Sequence, residues 1–170
     1  MAIAPRKTKG GDLEGQGAFE DSVIKIDRFA KVVKGGRRFS FGALVVVGDR
    51  SGRVGLGYGK ANEVPQAVDK GIANARKALL AVNLKGASIP HAVKGRCGAS
   101  QVILLPASEG TGVIAGKTLR PLLQLAGIRD VLTKAYGSTS AVNLLKAGID
   151  ALGKLRTAEM VGSLRGVNLG

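Results

Sequence analysis

The sequence predicts an α+β protein built from two small domains. Three observations carry this. Alternating apolar residues fill residues 22–61, with glycine-bearing turn signals between the runs. An apolar stripe at helical spacing follows them. After a Gly- and Pro-containing break at 83–90, a second alternation of short strands and helices begins. At 170 residues and 45% hydrophobic, the chain can bury a core for each half.

The elements follow in order. Residues 1–18 carry Arg6, Lys7 and Lys9 before GGDLEGQG and have almost nothing to bury, so they are expected to be a basic arm that orders on a partner. The first domain is set at 19–82. Lys25, Arg28, Lys31 and Lys34 are three apart, which on a helix would make one basic stripe. A strand is preferred because Val23, Ile24, Ile26, Val32 and Val33 are β-branched and Gly35-Gly36 follows as a turn. Phe39, Phe41, Ala43, Val45 and Val47 then share one face of a second strand. Ser51-Gly52 turns the chain, and Val54, Leu56 and Tyr58 share a face of the third, which points Tyr58 toward the core. A helix follows with Asn62 as N-cap, Pro65 in its first turn, and Val64, Ala67, Val68, Ile72, Ala75 and Leu79 along one side.

A linker at 83–90 leads to a second domain at 91–158. Its pattern is a strand at 92–96, a turn at Gly98, a strand at 101–105, a glycine loop, a helix at 118–126 ended by Gly127, a strand at 128–136, and a helix at 141–155 capped by Ser140. That order is β-β-α-β-α. Residues 159–170 are left as a tail.

Charge narrows the function. Residues 22–61 hold nine Lys/Arg against Asp27 and Asp49, which is +7 of the chain's +14. Basic residues flank both turns of this meander, a surface suited to phosphates. With no Trp, two Tyr and four Phe, recognition by many stacked bases is disfavoured, and backbone neutralisation fits better. No basic amphipathic helix with bulky apolar residues opposite is found, and no apolar run approaches the roughly 20 residues of a membrane span. The N-terminus lacks the apolar region of a secretory signal. Single Cys97 fits a reducing compartment, and a cytoplasmic location is expected.

Two glycine motifs invite enzyme readings and fail on spacing. In GTGVIAGKT (110–118) a phosphate-binding loop would need its first glycine at Thr111, and Gly110 and Gly112 each miss by one. GLGYGK (55–60) lacks the full dinucleotide fingerprint. Its glycines are expected to admit another backbone, RNA among the options. His91 and Cys97 are each unique, which is too few ligands for zinc, and no third group orients them as a catalytic couple. No catalytic residue, metal or cofactor is expected.

Three stretches, VKGGRRFSFGALVVVGDRSGRVGLGYGKA (33–61), LPASEGTGVIAG (105–116) and AYGSTSAVN (135–143), closely resemble the bacterial form of small-subunit ribosomal protein five, over about residues 23 to 155. The resemblance implies a first domain similar to double-stranded-RNA-binding folds. It also implies a second domain whose βαβ crossover is left-handed, where the general rule would give right-handed. It further implies binding of small-subunit rRNA late in assembly, and a position near the mRNA entry side that influences decoding accuracy. Small-subunit ribosomal proteins four and eight are the implied protein neighbours.

Carried onto this chain, the resemblance makes Arg28, Lys31, Lys34, Gly35, Gly36, Arg37 and Arg38 the leading RNA-binding loop, with Arg53, Tyr58 and Lys60 next. Gly110, Thr111, Gly112 and Arg120 become the contact with protein four, although Arg120 could equally pair with Asp130. Two other readings stay open: a double-stranded-RNA binder outside the ribosome, and a nucleotide-dependent enzyme using 110–118.

Overall fold

The structure is a computed structural model that describes residues 19–166. The expected basic arm at 1–18 lies outside the described residues, as do the last four residues of the tail.

The first sheet has four antiparallel strands in sequence order: β1 (Glu20–Val33), β2 (Gly36–Gly48), β3 (Arg53–Ala61) and β4 (Leu79–Ala81). Helix α1 (Val64–Lys77) connects β3 to β4 and covers one face. The strand reading therefore holds for Lys25, Arg28 and Lys31, with Lys34 in the turn that follows, and the meander gains a fourth strand. Leu79, assigned to the helix by spacing, instead opposes Gly55 as the first residue of β4. Glu63, not Asn62, occupies the N-cap of α1, with no side-chain cap bond, while Pro65 lies in the first turn as expected.

Close packing of α1 depends on the alternate glycines of β3. A Cβ on Gly55 would lie 2.3 Å from the Ala75 carbonyl oxygen. On Gly57 it would meet that of Gly71 at 2.0 Å, and on Gly59 that of Ala67 at 2.0 Å. The backbone these glycines admit is α1 itself, which corrects the suggestion of RNA. Ala67, Ile72 and Ala75 thereby reach Ala43, Val45 and Val47 of β2. The other face of β2 is buried too, because Leu44 and Val46 join the core of the second domain. The single buried face expected for β2 is therefore two.

The second sheet runs β5 (Val93–Cys97), β6 (Ser100–Pro106), β8 (Val131–Gly137), β7 (Val113–Ile114), with β7 parallel to β8 and the other pairs antiparallel. Helix α2 (Arg120–Leu125) makes the crossover between the parallel pair. α3 (Ala141–Gly153) packs on β5 and β6, and α4 (Ala158–Arg165) closes the described chain. Two-residue β7 adds a strand to the expected β-β-α-β-α. Ser140 does hold the N-cap of α3, but its side chain makes no cap bond. Residues set aside as tail form α4, whose cap is Thr157, with Oγ1 accepting from the Met160 N–H at 3.3 Å.

The two sheets share one core. Leu122, Leu123 and Leu125 of α2 are buried with Leu44, Val46 and Val54 of the first sheet. Backbone bonds stitch the join: the Arg50 N–H donates to the Leu125 carbonyl (2.9 Å) and the Gly52 N–H to that of Ala126 (3.1 Å). The connection at 83–90 is packed rather than loose. Ile89 is 2% exposed, and the Ala87 carbonyl accepts from the N–H groups of Arg129 (2.9 Å) and Asp130 (3.1 Å).

Candidate nucleic-acid interface

The register of β1 and β2 explains how the cations are presented. β3 ends at Ala61, opposite Phe41, whose partner on β1 is Arg28. Beyond that point β1 and β2 continue alone as a two-stranded ribbon closed by the turn at Lys34-Gly35. Five residue pairs at about 3.4 Å each give a projection of roughly 17 Å.

Pairing partners share a face, so Lys31 and Arg38 stand on one side of the ribbon and Arg37 on the other, opposite Val32. Lys34 occupies the tip. Lys31, Lys34, Arg37 and Arg38 are all exposed, and none forms an ion pair among the described residues. The segment from Arg28 to Arg38 contains no carboxylate. The ribbon is therefore basic on both faces and at its end.

Aromatic rings steady the base of the ribbon. The Arg28 guanidinium carbon lies 4.9 Å from the Phe39 ring centre, and the Lys60 Nζ lies 5.2 Å from that of Phe29. Tyr58 is 41% exposed, so the core position its alternation suggested is overturned. It lies across Gly42, where a Cβ would come 2.1 Å from the Tyr58 hydroxyl and 2.7 Å from the Phe29 ring. Phe29 and Phe39 do not stand out by charge or motif; the alternation within the hairpin carries their signal.

Arg53 is placed elsewhere. It begins β3, seven residues from Lys60 and so about 23 Å along the strand. Its Nε donates to Asp49 Oδ2 at 2.7 Å, and its guanidinium lies 5.6 Å from the Phe19 ring. Asp49 Oδ1 accepts from the backbone N–H groups of Ser51 (2.8 Å) and Arg53 (3.0 Å), which closes the β2–β3 loop.

Burial alone would raise the Asp49 pKa. The two backbone N–H groups and the Arg53 guanidinium together outweigh it and hold the carboxyl below its ordinary value. Asp150 is also lowered, by a hydrogen bond from Lys154 and one from the Arg96 N–H. Because both folded values lie below the unfolded ones, their stabilisation is complete above the unfolded pKa and is lost as pH falls through the folded values. Asp49→Asn is expected to lower the unfolding midpoint near neutral pH and to flatten its decline below about pH 4, as measured by thermal melts across pH. A decline as steep as that of the wild type would remove Asp49 from this role.

The loop between β6 and β7 holds Gly110, Thr111 and Gly112. Thr111 Oγ1 donates to the Ser108 carbonyl at 2.8 Å, and the Gly112 N–H donates to buried Asp130 Oδ1 at 2.8 Å. Arg120 is exposed at the start of α2, and no ion pair joins it to Asp130 among the described residues. A carboxylate already occupies the Gly112 N–H, β7 interrupts the glycine run, and α2 has only six residues. The geometry of a phosphate-cradling loop is not met. His91 is used structurally, with Nε2 accepting from the Arg156 N–H at 3.1 Å.

Comparison with known proteins yields two family models. Residues 19–83 match "Ribosomal protein S5, N-terminal domain" and residues 95–165 match "Ribosomal protein S5, C-terminal domain". Among similar proteins, the small ribosomal subunit protein uS5 of Rhodopirellula baltica is 52% identical over 163 residues, covering 96% of this chain and 92% of the relative. That of Rubrobacter xylanophilus is 53% identical over 164 residues, covering 96% and 82%. That of Syntrophobacter fumaroxidans is 55% identical over 146 residues, covering 86% and 88%.

Proposed function

This chain belongs to the ribosomal protein S5 family, and from that premise we propose that it binds small-subunit rRNA through the β1–β2 ribbon. It is a structural constituent of the small ribosomal subunit and not an enzyme. The observation that supports the binding mode is the ribbon itself, cationic on both faces and at its tip, with no carboxylate between Arg28 and Arg38. A rod of this kind suits a site where RNA backbone approaches from several sides, and it reads shape and phosphates rather than base edges.

Arg28, Lys31, Lys34, Arg37 and Arg38 neutralise phosphates. Gly35 and Gly36 add no side chain at the tip, and Gly36 turns the chain there at a φ of +126°. Lys60 extends the same surface at the ribbon's base. Arg53 acts through the scaffold, since its guanidinium is held by Asp49. The loop of Gly110, Thr111 and Gly112, with Arg120, is the edge that meets ribosomal protein four, and protein eight is the second neighbour. With both ends engaged, the protein locks RNA and protein late in subunit assembly and influences decoding accuracy near the mRNA entry side. We take 19–82 and 91–158 as its two domains.

The test is where the protein sediments in a lysate at low and high salt. Co-migration with small subunits, stripped only at high salt, is expected. A pool wholly free of subunits would sink the proposal and favour a double-stranded-RNA binder outside the ribosome.

A further inference from the structure

The face of the first sheet that meets the second domain is buried only in part. Leu44, Val46 and Val54 lie in the shared core, and Tyr58, opposite Leu44, is 41% exposed just beyond it. Pairing partners and alternate residues of a strand share a face. The same uncovered surface therefore carries Asp27, Phe29, Lys31, Arg38 and Lys60, grouped around Gly42. Asp27, the one carboxylate among them, is already paired with Lys25 at 2.7 Å.

Tyr58 does not stand off this surface. A Cβ on Gly42 would lie 2.1 Å from the Tyr58 hydroxyl oxygen and 2.8 Å from its Cζ, so the ring is laid along the sheet over the bare glycine. Phe29 reaches the same point, with Cε2 at 2.7 Å. Cations already sit over the two neighbouring rings, Lys60 over Phe29 and Arg28 over Phe39. Among the described residues none sits over Tyr58.

We infer that Tyr58, edged by Phe29, is a stacking platform for one unpaired base of the rRNA. A nucleobase brings a flat face for the ring and, on its own backbone, a phosphate for Lys60, two residues and about 7 Å along the strand. Every base has such a face, so the contact is blind to sequence and selects a base that is out of pairing. This adds a demand on RNA form to the phosphate neutralisation of the ribbon. A regular duplex, with its bases stacked inside, leaves the platform empty. An apolar protein side chain would bring nothing for Lys31, Arg38 and Lys60, which border the ring.

The inference rests on the rRNA binding proposed above. In titrations of small-subunit rRNA, Tyr58→Leu is expected to weaken binding about five-fold or more, equally at each salt concentration, because the lost contact is not ionic. Tyr58→Phe keeps the ring and recovers the affinity. A second measurement needs no variant: ultraviolet irradiation of native small subunits, followed by mass spectrometry. The peptide that holds Tyr58 is expected to carry a nucleotide.

Three results would overturn the inference: wild-type affinity in Tyr58→Leu, a loss in Tyr58→Phe as large as that in Tyr58→Leu, or photo-crosslinks from Tyr58 to a protein neighbour. A wild-type chain that fails to bind the rRNA would overturn the functional proposal as well. A chain that binds but is indifferent to Tyr58→Leu overturns this inference alone.

Discussion

Replacing Lys31, Lys34, Arg37 and Arg38 together by alanine is expected to make the dependence of log affinity on log salt shallower by about 3 to 4, at roughly 0.7 to 0.9 for each phosphate no longer neutralised. Neutralising four phosphates accounts for about a hundredfold fall in affinity between roughly 50 and 200 mM salt, and the variant gives up that sensitivity along with the affinity behind it. The side chains are exposed and have no ion-pair partner among the described residues, so the unfolding midpoint should hardly move. Fluorescence-monitored titration of a small-subunit rRNA fragment across salt concentrations measures the slope. Arg53→Ala is the contrast: it breaks the pair with Asp49, lowers stability, and leaves the slope nearly unchanged. An unaltered slope in the fourfold variant would take the ribbon out of the binding surface.

The largest stability effect is expected at Gly57. Its Cβ would lie 2.0 Å from the Gly71 carbonyl oxygen and 2.5 Å from the Ala75 nitrogen, both backbone atoms of α1 that no side-chain rotation can move aside. Gly57→Ala must push the helix away from the sheet, which opens gaps between Ala67, Ile72 and Ala75 and the residues of β2 beneath them. Overpacking of this kind costs about 3 kcal/mol, toward the upper end of measured cases. For a chain of this length that lowers the midpoint by roughly 6 to 12 °C. Gly35→Ala at the ribbon tip is the control, with open space around the added methyl group and an expected change within about 0.5 kcal/mol. A tolerated Gly57→Ala in calorimetry would show that α1 can retreat at little cost.

Much of the fold is legible in the sequence, and the parts that are not have identifiable reasons. The hairpin announces itself through alternation and a glycine pair, and α1 through its stripe and Pro65. β4 and β7 are three and two residues long, too short to show a period. The double burial of β2 has a visible sign in the unbroken apolar run Leu44-Val45-Val46-Val47, which alternation counting overlooks. α4 also carries its signals: Thr157 as cap, Glu159 in the first turn, Arg165 in the last and Gly166 just beyond. The glycines of β3 tell that a backbone comes close, but only the fold says whose.

At the candidate interface, charge picks out the ribbon. It cannot separate Arg53 from it, because formal charge does not reveal which guanidinium already has a carboxylate partner. Asp49, four residues earlier and followed by Ser51, is the clue to a self-closed loop.

The stitched join between the two sheets has a mechanical result. The Arg50–Leu125 and Gly52–Ala126 backbone bonds and the common core tie the first sheet, from which the ribbon projects, to the second sheet, from which the loop at 107–112 leaves. On the proposed function, the protein is thus a caliper whose two jaws are the ribbon and that loop. A neighbour docked at one jaw would then present the other to its partner, so the second contact would form as an intramolecular step at high effective concentration. Under the proposed binding mode, weak binding at each jaw would sum to tight retention only where RNA and protein stand at the matching separation, and a misassembled particle, with its parts out of gauge, would release it.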